Sequence, residues 1–365
     1  MIYMDNAATA PVCEAAKQAI IKHLNDFGNP SSTHEFGRQS RLLIEDARER
    51  IAKCINANPE HIYFTSGGSE ANTLALNKRH HTSSSKFEHH SIVTDWPKIS
   101  VTKDGFIKSH KLNNMLSEWW EVPFTVMSCM SVNNEIGTIQ PVKDLATIAH
   151  RYGILFHTDA VQAMPYIPID VKDIGCDMLS ASGHKFGAPK GVGFLYANER
   201  SRIKPIINGG HQENGIRPGT ENVLGILAMA TALEDTVEHM EERNAYIEAL
   251  RNNLLEKLLK IDGAHVNGSL ENRVPGNINI RFDGVSGSRL VSLCSLCGVY
   301  ISSGSACSEG IPTPSHVLKA IGLSDSEALN SIRITLGHQN TEEDIRAAAD
   351  IITALIKRIR EDNDF

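Results

Sequence analysis

The chain has 365 residues, 41% hydrophobic and 22% charged, an ordinary globular composition with length enough for one large domain and a smaller one. A formal net charge of −7 carries no overall signature of nucleic-acid or membrane binding, and no apolar run approaches the roughly 18–20 residues of a membrane span. The opening "MIYMDNAATAPV" has no basic segment followed by an apolar core, so no secretory signal is expected and a cytoplasmic setting is the default.

Taken in order, the periodicity predicts a helix from about Pro11 to Asp26 and another from Arg38 to Ile55. "HIYFTS" reads as a strand and the segment from Ser69 as a helix. "FTVMSCMSV" is a strand, "VKDLATIAHRYG" a helix stopped by Gly153, and "ILFHTDA" a buried strand, with "CDMLSAS" and "GVGFLYA" as further strands. A single long helical pattern covers Val223 to Lys260. After it come the strand "GNINIRF", a helix carrying Cys294 and Cys297, the loop "SGSACSE", the strand "SIRITL" and a final helix from about Thr341. Alternating strands and helices predict a mostly parallel sheet covered by helices, followed by a smaller α+β unit.

Seven cysteines (13, 54, 129, 176, 294, 297 and 307) are odd in number and scattered, as free thiols of a reducing compartment are. Cys294 and Cys297 form a C-x-x-C inside an amphipathic helix ending at Gly298, and no second pair completes a zinc site, so the reading there is structural. Cys307 differs: its neighbours in "SGSACSE" are too small and polar to bury it.

Four strand ends collect chemistry, as the rim of an open α/β sheet does. "TSGGSEAN" opens a helix after a glycine pair, an anion cradle suited to a phosphate. Asp159 ends an apolar strand, where an acid either caps the next helix or pairs with a protonated ring nitrogen. Lys185 lies in the small-residue stretch "SASGHKFGAPKGVG", where partial desolvation lowers a lysine's pKa toward Schiff-base chemistry. The paired asparagines of "SVNNEIG" complete the rim. Phosphate cradle, ring-nitrogen acid and reactive lysine together describe a pyridoxal-phosphate site.

On these residues, and on "FGNPSSTHEFGR", "EHHSIV", "VNNEIGTIQPV", "GGHQENGIRPGTENV", "SSGSACSEG" and "SIRITLG" in the same order, the chain resembles the group I, iron–sulfur-assembly type of cysteine desulfurases in the class V aminotransferase family. The resemblance implies a fold-type I enzyme. Its large domain, residues 16–245, would carry a mostly parallel seven-stranded sheet; its small domain, residues 1–15 and 246–365, would carry the Cys307 loop. It implies pyridoxal 5'-phosphate linked to Lys185, with Asp159 at the pyridinium nitrogen, Gln162 and Asn134 near the ring hydroxyl, and His89 stacked on the ring. Gly68, Ser69, Ser182 and His184 would surround the phosphate, and Thr220 would reach the phosphate of a partner subunit, making the working unit a homodimer. Arg333 would grip the carboxylate of L-cysteine, with Asn29 close by. Cys307 would accept the substrate sulfur as a persulfide and pass it to an acceptor protein, serving iron–sulfur clusters or, through tRNA or DNA thiolation, nucleic acid only indirectly.

Departures are Ser69 where threonine is common, His211 and Pro218 near the dimer-crossing loop, and a trimmed segment from Asp95 to Glu121. "IREDNDF" ends without a scaffold-binding extension, which weakens the expectation of docking to an iron–sulfur scaffold. Another class V reaction, such as a selenocysteine lyase, aminotransferase or kynureninase-like lyase, would have no need of Cys307. A non-catalytic binding platform would have no need of the full set of Lys185, Asp159, His89, Arg333 and Cys307.

Overall fold

The computed structural model describes residues 1–76, 81–92, 94, 98–118, 125–303 and 313–363. Strand β1 (Ile2–Tyr3) is followed by α1 (Glu14–His23), α2 (Glu35–Cys54), β2 (Ile62–Thr65), α3 (Gly68–Leu76), β3 (Thr82–Ser84) and α4 (Ser109–Glu118). Next come β4 (Val126–Ser128), α5 (Val142–Arg151), β5 (Leu155–Asp159), α6 (Val171–Ile174), β6 (Met178–Ser182), β7 (Gly193–Ala197), α7 (Val223–Glu238) and α8 (Met240–Leu258). The remainder comprises β8 (Ala264–Val266), β9 (Asn277–Phe282), α9 (Gly287–Leu296), β10 (Val299–Tyr300), α10 (His316–Ala320), α11 (Asp325–Leu329), β11 (Ser331–Thr335) and α12 (Glu342–Asn363).

Six strands form the main sheet in the order β2-β7-β6-β5-β4-β3. The pairs from β3 to β6 are parallel, and β7 is antiparallel to both β6 and β2. Seven strands were expected; among the described residues the sheet has six, extended beyond β3 only by a parallel bridge of Ser85 with Ile99. Strand residues are buried on both faces because side chains alternate between two helical layers. Leu179, Ala181, Phe194 and Tyr196 enter the larger core with α2, α5 and α7, while Met178, Leu195 and Ala197 face the core built on α3. Such a sheet leaves its polar groups at the strand ends, which is where the site forms.

A second core holds the antiparallel sheet β11-β9-β8 against α8, α9 and α12, with Phe282, Ile332, Ile334 and Ile352 fully buried. Met4 joins this core, and β1 pairs in parallel with β10. Fully burying side chains of this size contributes roughly 1.5–3 kcal/mol each.

The continuous helix expected over Val223–Lys260 is two helices meeting at His239. There the Asp235 carbonyl is engaged by His239 Nδ1 at 2.9 Å and by the Arg243 guanidinium at 3.3 Å, so side chains capture the turn's acceptor. The first helix starts at Glu14 instead of Pro11, since Cys13 Sγ accepts from Ala16 N–H. The second starts at Glu35, three residues before the expected Arg38, because the His34 ring caps Gly37 N–H. Helix caps set by sulfur or imidazole lie outside the usual Ser/Thr/Asp/Asn signals. No helix among the described residues is long and apolar enough to cross a membrane.

Candidate active site

Asp159 closes β5, and β6 runs through Ser182 into a short turn, Gly183–Lys185. Parallel pairing of β5 with β6 therefore sets the acid and the lysine side by side at one rim. They open on a cavity of about 450 Å³ that is also lined by Gly68, Ser69, His89, Asn134, Gln162, Ser182, His184 and Arg333.

Lys185 Nζ donates to the carbonyls of Ala7 (2.6 Å) and Ala8 (2.7 Å). Burial, aided by the nearby Arg333 charge, lowers its pKa to about 8, so about a tenth of the amine is neutral and nucleophilic at pH 7, far more than for an ordinary lysine. Asp159 is buried; Oδ2 accepts from Asn72 Nδ2 at 2.7 Å and Oδ1 from the Val161 N–H at 2.9 Å. Burial raises its pKa, while those two donors favour the carboxylate. A cationic ring nitrogen would complete that compensation.

At the other end, α3 opens with Gly68 and Ser69, opposite Ser182 and His184. A Cβ on Gly68 would lie 2.7 Å from Val161 Cγ2, so only glycine allows the backbone this close to the floor of the cavity. Burial lowers the His184 pKa to about 4, leaving the ring neutral. Gln162 donates to the Ala7 carbonyl at 2.9 Å. On the far wall Arg333, from β11, donates to the Asn134 carbonyl at 3.0 Å and to Asp5 at 2.8 Å. Its Nε is buried without a partner among the described residues. A pyridoxal phosphate fits this set: a glycine-opened cradle, a buried acid compensated only by donors, a lowered lysine, and an arginine with spare donor capacity.

Two sequence candidates lie elsewhere. Asn29 is exposed and does not line the cavity; its Oδ1 accepts from the Ser31 N–H at 2.9 Å, because a short polar side chain next to Pro30 satisfies its own turn. Thr220 is exposed and outside the cavity of its own chain. Cys307 falls outside the described residues. Cys294 is buried and Cys297 exposed, both free, and among the described residues no cluster of His, Cys, Asp and Glu is arranged to hold a metal.

Several residues escaped the sequence reading. Glu135 lines the cavity; burial pushes its pKa up to about 7, against the lowering effect of the 2.5 Å bond that Ser315 donates to it. Asn72 and His316 line it too, and His90, the alternative to His89 within "EHHSIV", lines it beside His89. Asn72 sits one turn into the helix that "TSGGSEAN" opens, so helical spacing from Ser69 could have pointed to it. His316 Nε2 donates to the Glu88 carbonyl, a contact across 228 positions that no local pattern announces.

A mostly parallel sheet between two helical layers, with a lysine of lowered pKa just beyond one strand and a buried acid ending its neighbour, is the frame of a pyridoxal-phosphate enzyme. Residues 2–347 match the family described as Aminotransferase class-V, and the chain belongs to that family. "Cysteine desulfurase IscS" of Dictyoglomus turgidum is 41% identical over 98% of this chain and 95% of its own. A NifS-like protein from Rickettsia africae superposes with a TM-score of 0.90 at 32% identity, covering 99% of each chain. A structure described as SspA in complex with cysteine has a TM-score of 0.79 at 33% identity over 93% of this chain and all of its own.

Proposed function

We propose that this protein is a cysteine desulfurase that converts L-cysteine to L-alanine, holds the sulfur on Cys307 as a persulfide, and passes it to an acceptor protein. The observation that carries the reading is the convergence of Lys185, Asp159, His89 and Arg333 in one cavity with the cradle at Gly68, Ser69, Ser182 and His184. Relatives named cysteine desulfurase, and the neighbour described with cysteine, support the substrate.

When bound, pyridoxal phosphate supplies a carbonyl for the substrate amine and an electron sink for the carbanion at its Cα. Asp159 would hold a negative charge for the ring nitrogen, and Gln162 and Asn134, which line the same cavity, would help hold the group. Arg333 binds the substrate carboxylate through its planar fork and so orients Cα toward Lys185. Lys185, part neutral near pH 8, takes and returns the Cα proton. His89, exposed at the cavity mouth and with its pKa lowered chiefly by partial desolvation, stands neutral at the cavity wall. In the net reaction the substrate S–Cβ bond breaks and an S–S bond to Cys307 forms. The Cys307 thiol proton ends on the alanine methyl, so no external oxidant is needed.

Supporting the domain reading of 16–245 against 1–15 with 246–365 is the second core, which holds Met4 and most buried apolar residues from Ile247 on, while Val274 joins the first core and Val317, Leu318 and Ile321 cluster with Phe87 and Met130. The exposed position of Thr220 suits a role in a partner subunit of a homodimer. An iron–sulfur or thiolation acceptor and a cytoplasmic setting complete the reading. The test is incubation with L-cysteine and a thiol reductant, scored for alanine and sulfide in equal amounts. Cys307→Ala is expected to keep the cofactor's visible absorbance and to lose the persulfide; undiminished turnover in that variant sinks the assignment.

A further inference from the structure

A chain of hydrogen bonds leads from the acid at the back of the site to the histidine at its mouth. Asn72, 1% exposed, donates through Nδ2 to Asp159 Oδ2 at 2.7 Å and to Ser91 Oγ at 2.9 Å. Ser91 Oγ lies 2.7 Å from His89 Nδ1, and the Ser91 backbone N–H donates to the same nitrogen at 3.2 Å.

The donors in this chain are assigned by elimination. An ionised carboxylate only accepts, which fixes the Asn72 amide with nitrogen toward Asp159. Ser91 Oγ accepts from that nitrogen and still has both a proton and a lone pair, so its direction toward His89 is set by the ring. A backbone N–H can only donate, so Nδ1 is an acceptor twice over, and the ring's single proton sits on Nε2.

We propose that Ser91 and Asn72 are positioning residues that lock the resting His89 in its Nε2–H tautomer and keep the ring neutral, so that Nε2 offers a proton while Ser91 holds the lone pair of Nδ1. Protonating Nδ1 would turn the Ser91 hydroxyl away from its acceptor and oppose the Ser91 N–H. The pair therefore resists formation of the imidazolium. Charged and titratable groups around His89 divide in sign: Asp159 favours the cation, while His90 and Lys185 oppose it, and His316 packs on His90 with ring centroids 4.6 Å apart. Partial desolvation of the ring, although the residue is exposed at the cavity mouth, acts in the same direction as the hydroxyl. Neither Ser91 nor Asn72 touches the reacting atoms in this account. Both act through His89, and Asn72 also through Asp159.

This inference rests on the desulfurase reading for its chemistry but not for its measurement. In holoenzyme labelled with ¹⁵N-histidine and free of substrate, the His89 signal, assigned by its loss in His89→Gln, is expected to show Nε2–H and an unprotonated Nδ1. An Nδ1–H tautomer overturns the proposal, whatever the variants do. In Ser91→Ala, loss of one neutral hydrogen bond of about 1 kcal/mol should mix the tautomers. It should move the acidic limb of kcat/KM up by roughly half to one pH unit. Ser91→Thr, which keeps the hydroxyl, is expected to restore both. Cofactor absorbance verifies that each variant is loaded. A Ser91→Ala enzyme with a pure Nε2–H ring and an unmoved acidic limb would refute the proposal. Failure of the wild type to form alanine would instead strike the parent reading and leave the tautomer result standing.

Discussion

Replacing Arg333 by lysine separates charge from geometry at the substrate-binding wall. The guanidinium spends one terminal nitrogen on the Asn134 carbonyl (3.0 Å) and the other on Asp5 (2.8 Å), and carries a buried Nε with no partner among the described residues. Lysine keeps the positive charge that helps lower the Lys185 pKa, but presents a single ammonium that cannot reproduce the planar fork. Losing one of two charge-assisted bonds to the substrate carboxylate costs about 1.5–3 kcal/mol, or roughly 10- to 150-fold in kcat/KM. Arg333→Lys is expected to show that loss mainly as raised KM, with kcat within about threefold. Initial rates of alanine formation over a range of L-cysteine concentrations measure both, with cofactor absorbance confirming equal loading. A kcat/KM within threefold of wild type, or a loss confined to kcat at saturating substrate, would refute the carboxylate role.

Apo-enzyme titrated with pyridoxal phosphate should form its Schiff base at a rate that rises with pH through about 8 and levels above it, because the lowered Lys185 amine is neutral there, whereas an ordinary lysine is still protonated. A rate still climbing toward pH 10 would contradict the lowered pKa. Gly68→Ala places a methyl 2.7 Å from Val161 Cγ2 and should weaken cofactor binding about tenfold by equilibrium titration, with partial recovery in Gly68→Ala/Val161→Ala; an unchanged affinity removes the cradle argument. Arg48→Met strands the buried Glu213, which receives two 2.8 Å bonds from Arg48 and one of 2.8 Å from the Phe64 N–H, and should cost about 3–5 kcal/mol in denaturant unfolding. A loss below 1 kcal/mol would show that the pair is solvated in solution.

The sheet strands and the rim residues were legible because their signals are local. β5 is an apolar run stopped by an acid, and Lys185 sits in glycine-rich sequence three residues beyond a strand, so each could be placed without tertiary information. Residues that act through distant partners could not. Arg333 meets Asp5 across 328 positions, and Asn72 meets Asp159 across 87, so neither pairing leaves a periodic trace. The break at His239 was missed for a related reason: its neighbours keep the apolar spacing of a helix, and the interruption comes from side chains competing for one carbonyl. Asn29 was assigned by motif register alone, which transmits sequence position but not the turn that draws the side chain back to Ser31.

Residues 2–8 connect the two cores within less than two helical turns' worth of chain. β1 is zipped to β10, Asp5 grips Arg333, and the next two carbonyls but one hold the Lys185 amine. Mechanically this is a short strap with the Arg333 guanidinium, the proposed carboxylate grip, buckled near one end and the Lys185 amine near the other. Tension on it is felt first at the guanidinium and only then at the amine. A bulky folded unit fused ahead of Met1 would therefore loosen grip on substrate before it disturbed the lysine, which makes the opposite end of the chain the better place for an affinity handle.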